Sequence, residues 1–264
     1  MHRFVHVLTG MVLVASLMPA ETPDSTDAAA LIEKSRQISM AYIHSLPDFM
    51  CTEVVSRYRL GNAMGMRLDW LPLDKLTVSL SYFQQHETHE LKLLDGLPTD
   101  RKFNSADIGM TSTGEFGGIL TSIFDPASRT SFRWRSWKTL HDRPVGVYVY
   151  QVEQGHSKYY VETGKPGKMR SAIVGFHGTL EIDHDSGEVI HLDHVTGHVP
   201  SAPEFKAVTE VDYDKVEVAG SRYMLPVHSQ TRIDRRNGAM KSESEFQDYR
   251  KFDVGSKLDF GADK

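Results

Sequence analysis

Leu180-Glu181-Ile182-Asp183 and Val189-Ile190-His191-Leu192 stand on either side of Asp185-Ser186-Gly187. Apolar residues recur at every second position in the first run, as in a strand with one dry and one wet face. The second run is rich in β-branched residues, and the three residues between are turn formers. The stretch reads as a β-hairpin, and its pattern repeats outward in both directions.

Towards the N-terminus, Val145 to Val152, Lys158 to Glu162 and Ala172 to Phe176 read as strands. Leu76, Val78, Leu80 and Tyr82 alternate with Thr77, Ser79 and Ser81. Phe49 to Leu60 is β-branched and aromatic and is expected to end at Gly61-Asn62. Towards the C-terminus, Val211 to Val218 and Tyr223 to Ile233 flank Ala219-Gly220-Ser221, and Asn237-Gly238 turns the chain into Lys241 to Phe252. Strands this close together predict a mainly β (α+β) fold, a curved antiparallel sheet or half-barrel.

Two helices interrupt the strands. One is expected over Asp27 to His44, where Leu31, Ser35, Ile38 and Tyr42 share a face, and Leu46-Pro47-Asp48 stops it. A central helical insert is expected to start at the capping-box pattern Ser112-Thr113-Gly114-Glu115. Phe116, Ile119, Leu120 and Ile123 follow at helical spacing, and Phe124-Asp125-Pro126 ends it. Its apolar side either fills the core or covers a cavity of the sheet.

Residues 1–20 read as a signal peptide. Met1-His2-Arg3 is a positive start, Phe4 to Leu17 an apolar run, and Ala20 a cleavage point, with Met18 where a small residue is preferred. The run is shorter than the roughly 20 residues a bilayer span needs, so no integral membrane protein is expected. Residues 21–26 read as a mobile leader and 21–264 as one β-rich domain. No cysteine stands at the cut to carry a lipid anchor. The expected location is periplasmic or secreted.

The chain has 30 Lys and Arg against 35 Asp and Glu, a net charge of −5, and the signal removes Arg3 as well. An acidic balance argues against a nucleic-acid surface. Cys51 is the only cysteine. No intrachain disulfide can form, and a buried apolar role is expected of the thiol.

Motifs for chemistry are sparse. His86-Glu87-Thr88-His89-Glu90 has its histidines three apart, whereas a zinc-protease helix needs four, and on a strand they point to opposite faces. His177, His184, His191, His194 and His198 lie near Asp183, Asp185 and Asp193. Within that set His184, His191 and Asp183 are the candidate metal ligands, against a solvent-facing polar side of a sheet. Gly-x-Ser-x-Gly is absent. Gly114-Glu115-Phe116-Gly117-Gly118 lacks the Lys and Ser/Thr of a phosphate loop. Glu87, Glu90, Asp183 and Asp185 would serve glycoside hydrolysis only at the required separation in space. Phe132-Arg133-Trp134-Arg135-Ser136-Trp137 interleaves aromatics with cations. It reads as a strand with Phe132 and Trp134 inward and Arg133 and Arg135 in water, or as a cation–aromatic binding surface. No catalytic residue and no cofactor are expected.

Several of these segments together carry a family resemblance. They are Gly178-Thr179-Leu180-Glu181-Ile182-Asp183 with Ser186-Gly187-Glu188-Val189, Val216 to Gly220, Tyr223-Met224-Leu225-Pro226, and Phe246 to Arg250. With the helix order around them, they resemble the exported half-barrel proteins related to the periplasmic lipoprotein carrier LolA and the receptor LolB. Leu46-Pro47-Asp48-Phe49 with Cys51 resembles a segment of exported proteins of soil bacteria. The carrier resemblance implies a curved sheet wrapped around an apolar cavity that holds acyl chains. Its motifs are turns and hairpins, so it speaks to fold, and no site residue transfers from it.

The reading is an exported, non-catalytic binding protein of the cell envelope that holds a lipid or acylated partner. Phe116, Leu120, Phe124, Phe132 and Trp134 are the expected cavity lining. The rival readings are an envelope or extracellular hydrolase with a His/Asp/Glu site, and a structural or interaction protein of the envelope.

Overall fold

The computed structural model describes residues 25–63, 67–103, 114–140, 143–165, 168–236 and 238–252. The expected signal at 1–20 lies outside them, as do leader residues 21–24, Ser112 and Thr113 of the capping box, and Asn237 of the last turn.

After helix α1 (Ser25–Ser45), strands β1 (Phe49–Ala63), β2 (Arg67–Phe83), β3 (His86–Leu94) and β4 (Leu97–Pro98) meander to one edge of a sheet. Helix α2 (Gly118–Phe124) follows, and β5 (Ser131–Leu140) and β6 (Arg143–Val152) start again at the opposite edge. β7 (Tyr160–Lys165) and β8 (Lys168–Ile173) form a separate two-stranded ribbon. β9 (Phe176–Asp183), β10 (Val189–Thr196), β11 (Lys206–Val218), β12 (Ser221–Arg235) and β13 (Gly238–Lys251) then work back until β13 pairs with β1. The result is an eleven-stranded antiparallel sheet, open and curved. Open twisted sheets of more than about ten strands curl or split. Register shifts at Met50/Thr52, Arg57/Tyr58, Val189/His191 and Asp212/Tyr213 are the bulges that bend this one.

Because β4 and β5 lie at opposite edges, the chain between them must cross a face of the sheet. It buries Phe103, Phe116, Ile119, Leu120, Ile123 and Phe124 against that face. α1 packs beside it. Ala28, Leu31, Ile119, Leu120, Ile123 and Phe124 share one core with Tyr148, Tyr150, Leu180 and Leu192 of the sheet.

The hairpin of Asp183 to Val189 forms as its sequence requires. Asp183 Oδ1 accepts from the Ser186 N–H (2.8 Å) and Asp183 O from the Gly187 N–H (2.8 Å), with Gly187 at φ 77°. Ala219 (φ 53°) and Gly220 (φ 81°) make the two-residue turn between β11 and β12, both in the left-handed region that such turns need.

Some expectations shift. α1 starts at Ser25, so the last two leader residues are helical. Its buried stripe is Ala28, Leu31, Ser35, Ser39 and Ile43, with Leu46 buried just past its end. Ile38 and Tyr42 are thus displaced to one flank, because the helix must turn Ile43 onto α2, where the Ile43 side chain nearly touches the Cα side of Gly117. α2 begins three residues later than expected. Its N-cap is Gly117 with no side-chain cap, and Glu115 is buried instead of capping. Gly61-Asn62 does not end β1, which continues in pairing with Leu68 and Asp69 of β2. Ala172 to Phe176 is two strands, parted at Val174-Gly175, where Gly175 O accepts from Gly197 N–H (2.7 Å).

Candidate functional site

α1 is the common wall of two cavities against the sheet. Its N-terminal half is held down by Tyr148, whose hydroxyl donates to Ala28 O (2.8 Å), and by Lys34, whose ammonium donates to Asp185 O (2.7 Å). Leu31 lies against Gly146 so closely that a Cβ there would come within 2.9 Å of Leu31 Cδ2. The C-terminal half, past Ser35, stands over open space on both flanks.

On one flank, Ile38, Ala41 and Tyr42 face a cavity of about 410 Å³. Leu120, Val189, Tyr213, Tyr223 and Met224 complete its apolar walls. Its charges are at the mouth: Glu188 pairs with Lys215, and Arg222 stands beside them with no partner among the described residues. Glu188 is carried by the Asp183–Val189 hairpin, which is docked on α1 through Gly187 and Lys34. The Tyr42 hydroxyl is buried without a hydrogen-bond partner, and burial pushes its pKa far above the ordinary phenol value.

On the other flank, Met40, Ile43 and His44 face a larger cavity of about 810 Å³ bounded by Tyr82, Glu87, His89 and Phe116. Here the charges sit in the wall. Glu87 Oε2 accepts from the Gly114 N–H (3.0 Å). Burial, then the Glu115 carboxylate, raise its pKa to about 7. Behind it Glu53, 3% exposed, accepts from Ser244 Oγ (2.8 Å), and burial followed by Glu115 raises it to about 8. His89 stacks on Phe103 with ring centres 4.8 Å apart, and burial lowers its pKa to about 4. Its Nε2 lies 3.8 Å from Glu53 Oε2. At neutral pH the imidazole is neutral and Glu53 carries its proton, while Glu87 is in the middle of its titration.

No family model matches the sequence, and no curated protein matches it. Among solved structures, the chain is similar to a DUF1329 family protein from Desulfovibrio piger at 9% identity, over 87% of this chain and 94% of that one, with a TM-score of 0.39. It is similar to a LolA superfamily protein from Nitrosomonas europaea at 10% identity, over 89% and 96%, with a TM-score of 0.37. A protein described as an outer membrane lipoprotein-sorting protein domain, from Vibrio parahaemolyticus, has 12% identity over 87% and 95%, with a TM-score of 0.40. The likeness is one of fold, and no residue of either cavity is carried over from it.

The five residues expected to line one cavity are spread over three places. Leu120 faces the apolar cavity and Phe116 the larger one. Phe124 is sealed, stacked on Phe132 at 5.6 Å, with the Arg36 guanidinium 5.8 Å over the Phe132 ring. Trp134 packs against the same core. A bulge between Trp134 and Ser136 brings the out-of-phase Trp137 to that core as well.

The candidate metal ligands do not converge. His191 opposes Glu181, not Asp183, and it donates to Asp212 Oδ1 (2.6 Å) and Asp193 Oδ1 (3.2 Å) across the other face. Those two bonds, Asp193 first, raise its pKa to about 10. Asp183 turns to Ser186 and Arg143 (3.2 Å), and His184 to its neighbour Asp185 (3.0 Å). Among the described residues no three His, Cys, Asp or Glu side chains are arranged to hold a metal ion. Glu87 faces inward while Glu90 is exposed on the opposite face of β3, so they do not form a carboxylate pair. Cys51 is buried. No helix among the described residues is long and apolar enough to cross a membrane.

Proposed function

We propose that this chain is an exported binding protein of the cell envelope that holds the apolar chain of a lipid or acylated partner between α1 and the sheet. The observation that carries the reading is the cavity of about 410 Å³ walled by Ile38, Ala41, Leu120, Val189 and Met224, with its charges confined to the mouth. Ligand cavities run from about 300 to 1,000 Å³, are mostly apolar and have a few placed polar groups. The tail of an amphiphile would lose water against those walls, at about 25 cal/mol per Å² of apolar surface. Its polar end would stay at the rim.

The test is lipid extraction and mass spectrometry on protein purified from a membrane-containing host, alongside Ala41→Trp. Ala41 is an exposed helix position, so an indole there fills the cavity with little cost to folding. Stoichiometric lipid on the natural chain and its loss from the variant support the reading. Protein free of lipid that also takes up no added fatty acid overturns it.

A further inference from the structure

The mouth of the apolar cavity carries two cations, Lys215 and Arg222, against one carboxylate, Glu188. Glu188 already neutralises Lys215. Arg222 is exposed and has no ion-pair or hydrogen-bond partner among the described residues. β11 and β12 place these groups together. Lys215 is in register with Met224 and Glu217 with Arg222, so Lys215 and Met224 point into the cavity from paired positions and Arg222 stands one alternation nearer the turn. The turn at Ala219-Gly220 fixes that register. A guanidinium offers several N–H donors in a planar fork that matches a carboxylate or phosphate. The Tyr42 hydroxyl, buried in the same lining, is a further donor with no acceptor among the described residues.

Resting on the binding reading above, we infer that the cavity selects an anionic single-chain amphiphile, with its tail along Ile38, Leu120 and Met224 and its acidic head at Arg222 beside the Lys215–Glu188 pair. The volume, at the small end for ligand cavities, fits one chain better than two. Arg222, which makes no ion pair with its register neighbour Glu217, sets the sign of the head. A neutral head would leave Arg222 to water, and a cationic head would meet it with repulsion.

The experiment titrates the natural protein by calorimetry with three ligands of one tail, each below its micelle concentration: dodecanoate, dodecanoyl glycerol and dodecyltrimethylammonium. Dodecanoate is expected to bind about fivefold tighter than the neutral ester, the size of one exposed charge contact, and the ammonium weakest. Arg222→Gln lowers the ratio of dodecanoate to ester affinity towards one. Glu188→Gln, which releases Lys215, raises that ratio about threefold. A variant that merely disturbed the fold could not produce both signs. Equal affinity for the three heads, or a ratio unmoved by both variants, overturns the inference about the head and leaves the cavity reading standing. Binding of none of the three overturns both.

Discussion

On one flank of α1, Ile38, Ala41 and Tyr42 look onto a pocket whose charges are all at its mouth. On the other, Met40, Ile43 and His44 look onto one whose acids are sunk in the wall. The same helix and the same sheet build both. The difference lies in where the charge is placed. A charge at the rim keeps most of its hydration and costs little to hold. A carboxylate in the wall loses its hydration and takes up a proton instead. The second pocket therefore changes character across neutral pH.

The largest expected effect tests that second pocket. Glu53 has its folded pKa raised from 4.5 to about 8. The stability tied to its protonated form is complete below pH 4.5 and is lost as pH rises through 8. Glu87, raised to about 7, pushes the same way. His89, lowered to about 4, works oppositely, and its contribution is complete above 6.5 and lost as pH falls through 4. Glu53→Gln mimics the protonated acid and keeps the Ser244 bond. In thermal denaturation it should match the natural chain near pH 5 and exceed it at pH 9 by an amount on the order of 3 kcal/mol. An unchanged pH profile would refute the buried-acid account.

Next in size is the wall the pockets share. Gly146→Val drives a side chain into Leu31 and Tyr148. It should cost about 2 kcal/mol, as overpacking does, and lower ligand uptake by lifting α1. If denaturation midpoints do not move, α1 is not seated where described. A third contrast separates the flanks. Ala41→Trp should weaken fatty-acid binding more than tenfold, while His44→Trp, three residues along on the other flank, should leave it within about twofold. Equal effects would mean that the ligand does not distinguish the pockets.

The smallest effect serves as a control on the face of the sheet opposite Leu192. There His191 is held between Asp193 and Asp212, and its raised pKa places its contribution fully below pH 6.5 and removes it as pH rises through about 10. Asp212 is half exposed, so Asp212→Asn should cost less than about 1 kcal/mol at pH 7. It should also flatten the fall in stability between pH 7 and 10, read from denaturation midpoints.

Most of the sheet could be read from the alternation at Leu76 to Tyr82, Val145 to Val152 and Leu180 to Asp183, because each of those strands has one dry face. The cavities were less legible for two physical reasons. The helix face read from spacing takes Leu31, Ser35, Ile38 and Tyr42 together and passes over Ser39, yet both serines are buried while Ile38 and Tyr42 line a pocket. The acidic wall did leave one trace. Glu53 falls in phase with Phe49, Cys51 and Val55, a charged residue at a dry position of β1. Its partners, Glu87 and Ser244, come from other segments of the chain, so only the registers of β1 with β13, β1 with β2 and β2 with β3 reveal them.

The pairing of Phe49 with Lys251 has a consequence in time. β1 forms hairpin contacts with β2 early, but its other edge waits for the last strand of the chain. Contacts this far apart in sequence slow folding, since a loop of nearly the whole protein must close before they can form. During that wait β1 is an open edge rich in β-branched residues, able to recruit a neighbouring molecule. Loss of β13 would thus leave a lasting template for aggregation, and a chaperone that shields β1 until β13 arrives would raise the yield of the folded chain.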